Sequence, residues 1–288
     1  MKIALIGLGK MGTALAKRVL LQHFDLTVFN RTSEKMQPLI QIGAKGASSL
    51  QNAVKNADVI ITCLLDDQAV LESVGTFIND MPSGAIHIGT STILPETSKK
   101  LTLLHEQHHQ LYLACNVLGI PKVAEQGHLT SIVAGNQHAI QQCDAIFKSY
   151  SSTIIPVGDH AYQANVFKIC ANYMLATAIE AMGEIYTFAE KSELNIDVVH
   201  KFFHLVFAHP AYKLYVDKIK DRNFDEVNFE LTGGMKDMSL FQHAFAQVGV
   251  VPDIINIIKD KFITAIAYNM SHKDWSAVTE ITRMGANI

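Results

Sequence analysis

Short apolar runs rich in β-branched residues alternate with helical patterns over residues 1–157, and the strand pattern then stops. Such alternation predicts a doubly wound parallel sheet whose crossover helices cover both faces. The runs that predict strands are Lys2–Ile6, Leu26–Phe29, Val59–Thr62, Ala85–Ile88, Leu111–Cys115, Ser131–Ala134 and Thr153–Val157. The predicted helices are Gly12–Gln22, Ser33–Ile42, Asp67–Phe77, Pro95–Gln107 and Gln137–Lys148. The first half of the chain is therefore an α/β domain.

The remainder of the chain has only helical patterns. One stretch without proline, residues 161–191, has apolar residues on nearly every face, which is typical of a helix buried between domains or subunits. The expected joints between the following helices are Asn195, His209-Pro210, Gly233-Gly234 and Pro252. A length of 288 residues fits two domains, which we place at 1–160 and 161–288, the second being all-α.

Composition excludes several classes of function. A net charge of −3 offers no basic field for nucleic acid or an anionic membrane, so small molecules are the expected partners. No apolar run has membrane length, and the first is too short for a signal peptide, so we expect a cytoplasmic protein. The four cysteines lack paired metal spacing and predict free thiols.

A glycine-rich loop follows the first predicted strand at once and opens a helix. Its sequence, Gly7-Leu8-Gly9-Lys10-Met11-Gly12, has the G-x-G-x-x-G spacing of a Rossmann dinucleotide-binding domain. In that context the glycines allow a tight turn and let a pyrophosphate reach the amino end of the helix. The alternative is a structural turn that binds nothing.

The second strand ends in Asn30-Arg31-Thr32, where an NAD enzyme places a carboxylate on the ribose hydroxyls. Arg31 can instead hold a 2′-phosphate in a bidentate fork, and Thr32 can donate a hydroxyl. The pattern favours NADP(H) over NAD(H), unless Arg31 is only a solvated loop cation.

On the long helix, Asn165, Lys168 and Asn172 form a polar stripe in an apolar segment. Desolvation lowers the pKa of a lysine and suits it to proton transfer at a carbonyl oxygen. The alternative is that Lys168 extends to the surface and Asn172 bonds a neighbouring helix.

Taken in order, these motifs resemble the β-hydroxyacid dehydrogenase superfamily, which includes 3-hydroxyisobutyrate dehydrogenase, tartronate semialdehyde reductase and glyoxylate or succinic semialdehyde reductases. The resemblance covers essentially the whole chain and implies a 6-phosphogluconate dehydrogenase-like fold. Besides the glycine loop and Asn30-Arg31-Thr32, the matching segments are Ser91-Thr92 with Pro95-Glu96, Asn116–Gly119 with Ala124 and Gly127, Lys168 with Asn172, and Phe229 with Lys236-Asp237.

The resemblance also implies roles for these residues. Lys168 would be the general acid in reduction and the base in oxidation, with Asn172 as its orienting partner. The residues implied to bind the cofactor are Gly7, Leu8, Gly9, Lys10, Met11, Gly12, Asn30, Arg31, Thr32, Leu64, Leu65, Thr92 and Lys236. The residues implied to bind the substrate are Ser91, Leu118, Gly119, Ile120 and Phe229.

Two departures from the family pattern concern the substrate. Leu118, Gly119 and Ile120 stand where the family usually has Ser-Gly-Gly, so a hydroxyl is lost and the pocket is more apolar. Tyr162 and Ala164 replace glycines that usually precede the catalytic lysine. Imine reductases have a similar fold but generally lack that lysine.

A histidine-rich segment fits the zinc-protease signature H-E-x-x-H. His105-Glu106-Gln107-His108-His109 has two histidines four residues apart, with Glu106 as the prospective base. No pattern for a third ligand follows, so we interpret the segment as a solvated helix end and expect no metal site.

The functional hypothesis is therefore an NADP(H)-dependent oxidoreductase that interconverts a small aldehyde, semialdehyde or keto compound and its alcohol or hydroxy acid, with reduction as the expected physiological direction. The alternatives are a catalytically silent dinucleotide-binding protein, an imine reductase-like enzyme acting on a substrate without a carboxylate, and a zinc hydrolase. The apolar long helix predicts a homodimer or homotetramer, with the active site in the cleft between the domains.

Overall fold

A computed structural model describes residues 1–288, which divide into two compact units, residues 1–168 and 169–288. The first unit contains the whole β-sheet, and the second is entirely helical. This arrangement confirms the predicted fold class, an α/β doubly wound domain followed by an all-α domain. None of the helices combines the length and the hydropathy that crossing a membrane requires.

The first unit alternates strands and helices in chain order. Its strands are β1 (Lys2–Ile6), β2 (Asp25–Phe29), β3 (Lys45–Gly46), β4 (Val59–Thr62), β5 (Ile86–Gly89), β6 (Leu111–Leu118), β7 (Leu129–Ala134) and β8 (Ser151–Gly158). Its helices are α1 (Lys10–Leu21), α2 (Gln37–Ile40), α3 (Leu50–Val54), α4 (Asp67–Phe77), α5 (Pro95–Gln107), α6 (Pro121–Glu125), α7 (Gln137–Gln142) and α8 (Asp144–Tyr150). A 3₁₀ turn, Ser33–Met36, precedes α2.

The strand order is β3-β2-β1-β4-β5-β6-β7-β8, so the chain reverses direction across the sheet between β1 and β4. In open α/β sheets, ligands bind outside the carboxyl ends of the strands at such a reversal. The expectation of an all-parallel sheet is wrong at one place, because β6 and β7 are antiparallel. Segment 119–128, which joins them, is shorter than the dozen or more residues that a parallel crossover needs.

Both faces of the sheet are buried, as expected for parallel strands with helices on both sides. Leu5 and Val28 pack with Leu15 of α1 in one hydrophobic cluster. Ile6 and Ile60 belong to a second cluster together with side chains of α4, which include Val70, Val74 and Phe77. The central strands are therefore fixed from both sides, and their carboxyl ends form a rigid edge.

Several predicted elements differ from the structure. The short elements β3, α3 and α6 were not anticipated, since two to five residues give no measurable periodicity. The expected helix over 33–42 consists of the 3₁₀ turn followed by α2. The expected helix over 137–148 is divided at Cys143, whose backbone (φ −92°, ψ 1°) interrupts the helix.

The second unit is built from helices only. After the long helix α9 (Tyr162–Lys191), which begins in the first unit, come α10 (Ile196–Val206), α11 (Pro210–Asp221), α12 (Leu231–Gln247), α13 (Asp253–Ala267), the 3₁₀ turn Trp275–Thr279 and α14 (Glu280–Gly285). Asn195, His209 and Pro252 each stand at the start of a helix, in agreement with the predicted joints.

The expected joint at Gly233-Gly234 is wrong, because α12 runs straight through both glycines. An added β-carbon at Gly233 would lie 2.7 Å from the ring of Phe229, and one at Gly234 would lie 2.6 Å from the ring of Phe262. These glycines let aromatic rings approach the helix backbone. A pair of glycines occurs both in turns and in such closely packed helices, and the sequence alone does not distinguish the two cases.

Candidate functional site

The glycine loop lies at the carboxyl end of β1, and its three glycines have different surroundings. Gly7 has φ +97°, and a β-carbon there would overlap the carbonyl oxygen of Cys63. A β-carbon at Gly12 would overlap the carbonyl oxygen of Gly7. At Gly9 a β-carbon would meet nothing within 4 Å. Packing within the protein therefore requires the first and third glycines, whereas Gly9 borders open space.

The amino end of α1 has the features of an anion-binding site. Gly9 occupies the N-cap position and supplies no capping side chain, and no acidic residue lies in the first turn of the helix. Positive N–H groups at a helix amino end bind anions, and the space beside Gly9 allows a phosphate to approach the backbone. The side chain of Leu8 is buried in the core and that of Met11 packs against it, so only the backbone of Leu8 is left to face a ligand.

Asn30, at the carboxyl end of β2, braces the glycine loop. Its Oδ1 accepts a hydrogen bond from the backbone N–H of Leu8 (2.9 Å), and its Nδ2 donates to the carbonyl of Thr32 (3.0 Å). Arg31 and Thr32 are exposed at the same strand end. The Asn30 side chain thus holds the loop and the strand end together, and it presents Arg31 at the protein surface.

The carboxyl ends of β4, β5 and β6 are joined through Ser91. The hydroxyl of Ser91 accepts from the backbone N–H of Leu64 (2.8 Å), and its carbonyl accepts from Nδ2 of Asn116 (2.9 Å). Ser91 and Asn116 are buried, whereas Leu65 is 72% exposed. Oδ1 of Asn116 is buried without a hydrogen-bond partner, which is unusual for a polar atom and typical of functional sites.

Lys168 lies beside the expected substrate loop. Its Nζ donates a hydrogen bond of 2.8 Å to the backbone carbonyl of Val117, near the end of β6. The next residues are Leu118, which is half-buried, Gly119, which has φ +133°, and Ile120. The structure therefore brings the expected catalytic lysine and the expected substrate loop together within the first unit.

In the second unit, Asn172 is tied to the segment Lys236-Asp237. Nδ2 of Asn172 donates to Oδ2 of the buried Asp237 (3.2 Å), and Nζ of Lys236 lies 2.8 Å from Oδ1 of the same carboxylate. Asp237 thus orients two of the residues that the resemblance implicates. Phe229, from the same expected segment, packs edge-on against the ring of Trp275, with the ring centroids 5.4 Å apart.

Comparisons with known proteins decide the family. Residues 2–158 match the family described as the NAD-binding domain of 6-phosphogluconate dehydrogenase, and residues 163–282 match that described as the NAD-binding domain of NADP-dependent 3-hydroxyisobutyrate dehydrogenase. The chain belongs to the β-hydroxyacid dehydrogenase superfamily. An uncharacterized oxidoreductase, YfjR, from Bacillus subtilis is 35% identical to this dehydrogenase over 96% of the chain and 98% of its own length.

Solved structures share the fold of this superfamily member. The 3-hydroxyisobutyrate dehydrogenase of Mycobacterium tuberculosis, determined with L-serine, superposes with a TM-score of 0.87 at 23% identity, covering 98% of this chain and 99% of that one. The imine reductase of Streptomyces aurantiacus superposes with a TM-score of 0.68 at 20% identity, covering 98% and 99%. These structures show the fold, and the family matches show an oxidoreductase of the 3-hydroxyisobutyrate dehydrogenase type with NAD(P)-binding domains.

Two buried polar residues of this dehydrogenase orient residues that the resemblance implicates, which the sequence did not indicate. Asp237 and Asn116 lie in segments that matched the family, yet the sequence alone gave neither a role. Asp237 orients Asn172 and Lys236, and Asn116 holds the backbone at Ser91. Burial of a polar side chain could have marked them, but burial is known only from the folded chain.

The interpretation of His105 as part of a solvated helix end is wrong in this dehydrogenase. His105 is fully buried, with its Nε2 2.8 Å from Nδ1 of His87 and its Nδ1 3.0 Å from Oε1 of Gln110. His87 in turn bonds the hydroxyl of Thr62, and Gln110 donates to two backbone carbonyls. Burial lowers the pKa of His87 well below its usual value, and that of His105 to about 4. Together these side chains form a neutral hydrogen-bonded network inside the domain.

Proposed function

We propose that this enzyme uses NADP(H) to interconvert a small aldehyde, semialdehyde or keto compound and the corresponding alcohol or hydroxy acid. The observation that carries the proposal is the hydrogen bond from Nζ of Lys168 to the carbonyl of Val117, because it holds an ammonium group beside the substrate loop. The family supplies the reaction type, and the residues at the sheet edge support the choice of cofactor and substrate.

The bound nicotinamide would supply or accept the hydride. The backbone at Gly9 and the amino end of α1 would bind the pyrophosphate, and the hydrogen bond from Leu8 to Asn30 supports this by holding the loop in position. Arg31, exposed at the end of β2 without a carboxylate beside it in the sequence, would form a bidentate contact with the 2′-phosphate. We therefore favour NADP(H) over NAD(H).

Lys168 would donate a proton to the carbonyl oxygen of the substrate in reduction and accept it back in oxidation. The Val117 carbonyl accepts a hydrogen bond from Nζ of Lys168, so the contact orients the amine beside the residues that follow β6. Asn172, one helical turn further along α9, would assist in positioning, and Asp237 holds its amide in place.

The residues after β6 favour a substrate that does not depend on a strongly held carboxylate. Leu118 and Ile120 offer no hydroxyl, and the positive φ of Gly119 fixes a turn between them. A carboxylate placed against these side chains would lose hydration without a charged partner. We infer a preference for neutral aldehydes and ketones over semialdehydes and hydroxy acids, which carry a carboxylate.

A panel of aldehydes, semialdehydes, keto acids and cyclic imines, assayed with NADPH and with NADH, tests the reaction. We expect Lys168→Ala to lower kcat by ~10²- to 10⁴-fold while leaving the Kd for NADPH nearly unchanged, because only proton transfer is lost. Lys191→Ala, an exposed lysine at the end of the same helix, is the control and should retain full activity. Near-normal turnover by the Lys168 variant would contradict the assignment.

The same panel separates the alternatives. A catalytically silent protein would bind NADPH, seen as a change in its fluorescence, and turn over nothing. An imine reductase would act on the cyclic imines in preference to every carbonyl compound and would not need Lys168. The fold shared with the imine reductase of Streptomyces aurantiacus is the reason to include these substrates.

We also propose that the enzyme is a homodimer or homotetramer. Large apolar side chains are exposed on one face of α10, namely Val198 (57%), Phe202 (56%) and Leu205 (80%), and Phe188 of α9 is also exposed (74%). Contiguous apolar surface of this kind marks an association site. Light scattering should give two or four times the mass of one chain, and Leu205→Glu should shift the population towards the monomer. A monomeric wild-type enzyme would refute this proposal.

A further inference from the structure

Two histidines and an aspartate converge between α10 and α11, and none of them is among the residues assigned above to cofactor or substrate. His200 and His204 are four residues apart on α10, so their rings lie on the same face of the helix, with centroids 4.5 Å apart. Oδ1 of Asp217, from α11, lies 2.7 Å from Nε2 of His200 and 2.5 Å from Nε2 of His204. The three side chains thus point to one place.

We propose that His200, His204 and Asp217 bind a divalent transition-metal ion of the zinc class and thereby link α10 to α11. All three ligand atoms lie within 4.8 Å of one another. Zinc bonds imidazole nitrogen at about 2.0–2.1 Å and carboxylate oxygen at about 2.0–2.2 Å, which separates tetrahedral ligands by roughly 3.3 Å. Each imidazole nitrogen therefore needs to move away from the carboxylate oxygen by less than about 1 Å to admit the ion. The two imidazole nitrogens, which are at most 4.8 Å apart, need to approach each other by no more than about 1.5 Å.

The three side chains are free to make that adjustment. His200 and His204 are 25% and 31% exposed, and Asp217 is 50% exposed, so an ion can enter from solvent. Rotation of a half-exposed carboxylate moves its oxygen without disturbing the helix backbone. Solvent would complete the coordination of the ion, as it does where a protein supplies only three ligands.

The carboxylate of Asp217 has no lysine or arginine partner. Its ion-pair contacts are with the two histidines, whereas Lys220 on the same helix pairs with Asp197 at 2.6 Å. A metal ion would therefore displace no lysine or arginine from Asp217.

Two imidazoles and one carboxylate suit zinc, cobalt or nickel, whereas magnesium and calcium prefer oxygen ligands throughout.

Cobalt(II) is the probe for the experiment, because it replaces zinc in such sites and is coloured. The full-length enzyme, treated with a chelator and dialysed, is titrated with Co²⁺ at pH 7.5 while its visible absorption is recorded, and Zn²⁺ is then added as a competitor. We expect one Co²⁺ per chain, released by Zn²⁺. His204→Gln and Asp217→Asn should each weaken binding by at least ~10- to 100-fold, the loss already typical of residues that only support a ligand.

His243→Gln is the matched control, because His243 is an exposed histidine on α12 outside the cluster. It should bind Co²⁺ as the wild-type enzyme does. Metal should also raise the midpoint of thermal unfolding of the wild-type enzyme and the control, but not of the two cluster variants. Two isosteric variants on different helices guard against one of them failing to fold, which far-UV circular dichroism would reveal.

Two results would overturn the proposal. One is equal affinity for Co²⁺ in the wild-type enzyme and in both cluster variants. The other is the absence of bound metal together with unfolding midpoints that fall in the variants, which would mean that the histidines and Asp217 serve only as a hydrogen-bonded tie between the helices.

Discussion

Replacement of Gly9 by alanine should separate cofactor binding from folding. The backbone of Gly9 (φ −73°, ψ −176°) is an extended conformation open to any residue, and the added β-carbon meets no protein atom within 4 Å. Replacement of a capping side chain costs typically ~1 kcal/mol when the new residue is alanine and a few tenths when it is glycine, so Gly9→Ala should lose roughly 0.7 kcal/mol. The reduced entropy of the unfolded chain returns ~0.4–1 kcal/mol. We therefore expect stability to change by no more than about 1 kcal/mol.

The effect on the cofactor should be much larger. The β-carbon would occupy the space through which a pyrophosphate approaches the amino end of α1. Steric overpacking of one methyl group typically costs about 1–3 kcal/mol, which corresponds to a Kd for NADPH about 5- to 150-fold higher. Titration of NADPH fluorescence measures that Kd directly, and urea unfolding measures the stability of the same preparation.

Two further glycines provide the comparison. Gly75 lies exposed in α4, where a β-carbon also meets nothing within 4 Å, so Gly75→Ala should stabilise the helix slightly and leave NADPH binding unchanged. Gly12→Ala should destabilise the fold, because its β-carbon overlaps the backbone of Gly7. If Gly9→Ala folds and binds NADPH as tightly as the wild-type enzyme, the pyrophosphate does not lie where we place it.

Two other predictions concern cofactor choice and pH. Arg31→Ala should raise the Kd for NADPH by ~10- to 100-fold, the value of a charge-assisted contact, but barely alter the Kd for NADH. An equal rise in the Kd for both cofactors, or an equal rise in the Kd for NADPH on Lys35→Ala, would show that Arg31 does not bind the phosphate. Because burial lowers the pKa of His87 and brings that of His105 to about 4, the unfolded chain binds more protons between pH 6.5 and 4. The free energy of unfolding should keep its full value above pH 6.5 and decrease as the pH approaches 4, by roughly 3 kcal/mol from His105 alone. A urea midpoint that does not change between pH 7 and pH 5 would contradict this prediction.

The sequence by itself determined the class of fold and the family. Alternating strand and helix periods record which faces are buried, and burial in a doubly wound sheet depends mainly on local pattern. For this reason β1, β4, α4 and α5 were predicted with their correct bounds. The order of the motifs along the chain likewise sufficed to indicate the family, since each motif is local.

Only the tertiary structure decided features that depend on residues distant in sequence. His105 looked like a solvated helix end, yet its partner His87 lies 18 residues away and encloses it in the core. The glycines of α12 looked like a joint, yet Phe262 needs the space. The pairing of His200 and His204 with Asp217 required α11 to fold back on α10. A single sequence records the local period of burial, but not which side chains the folded chain places in contact.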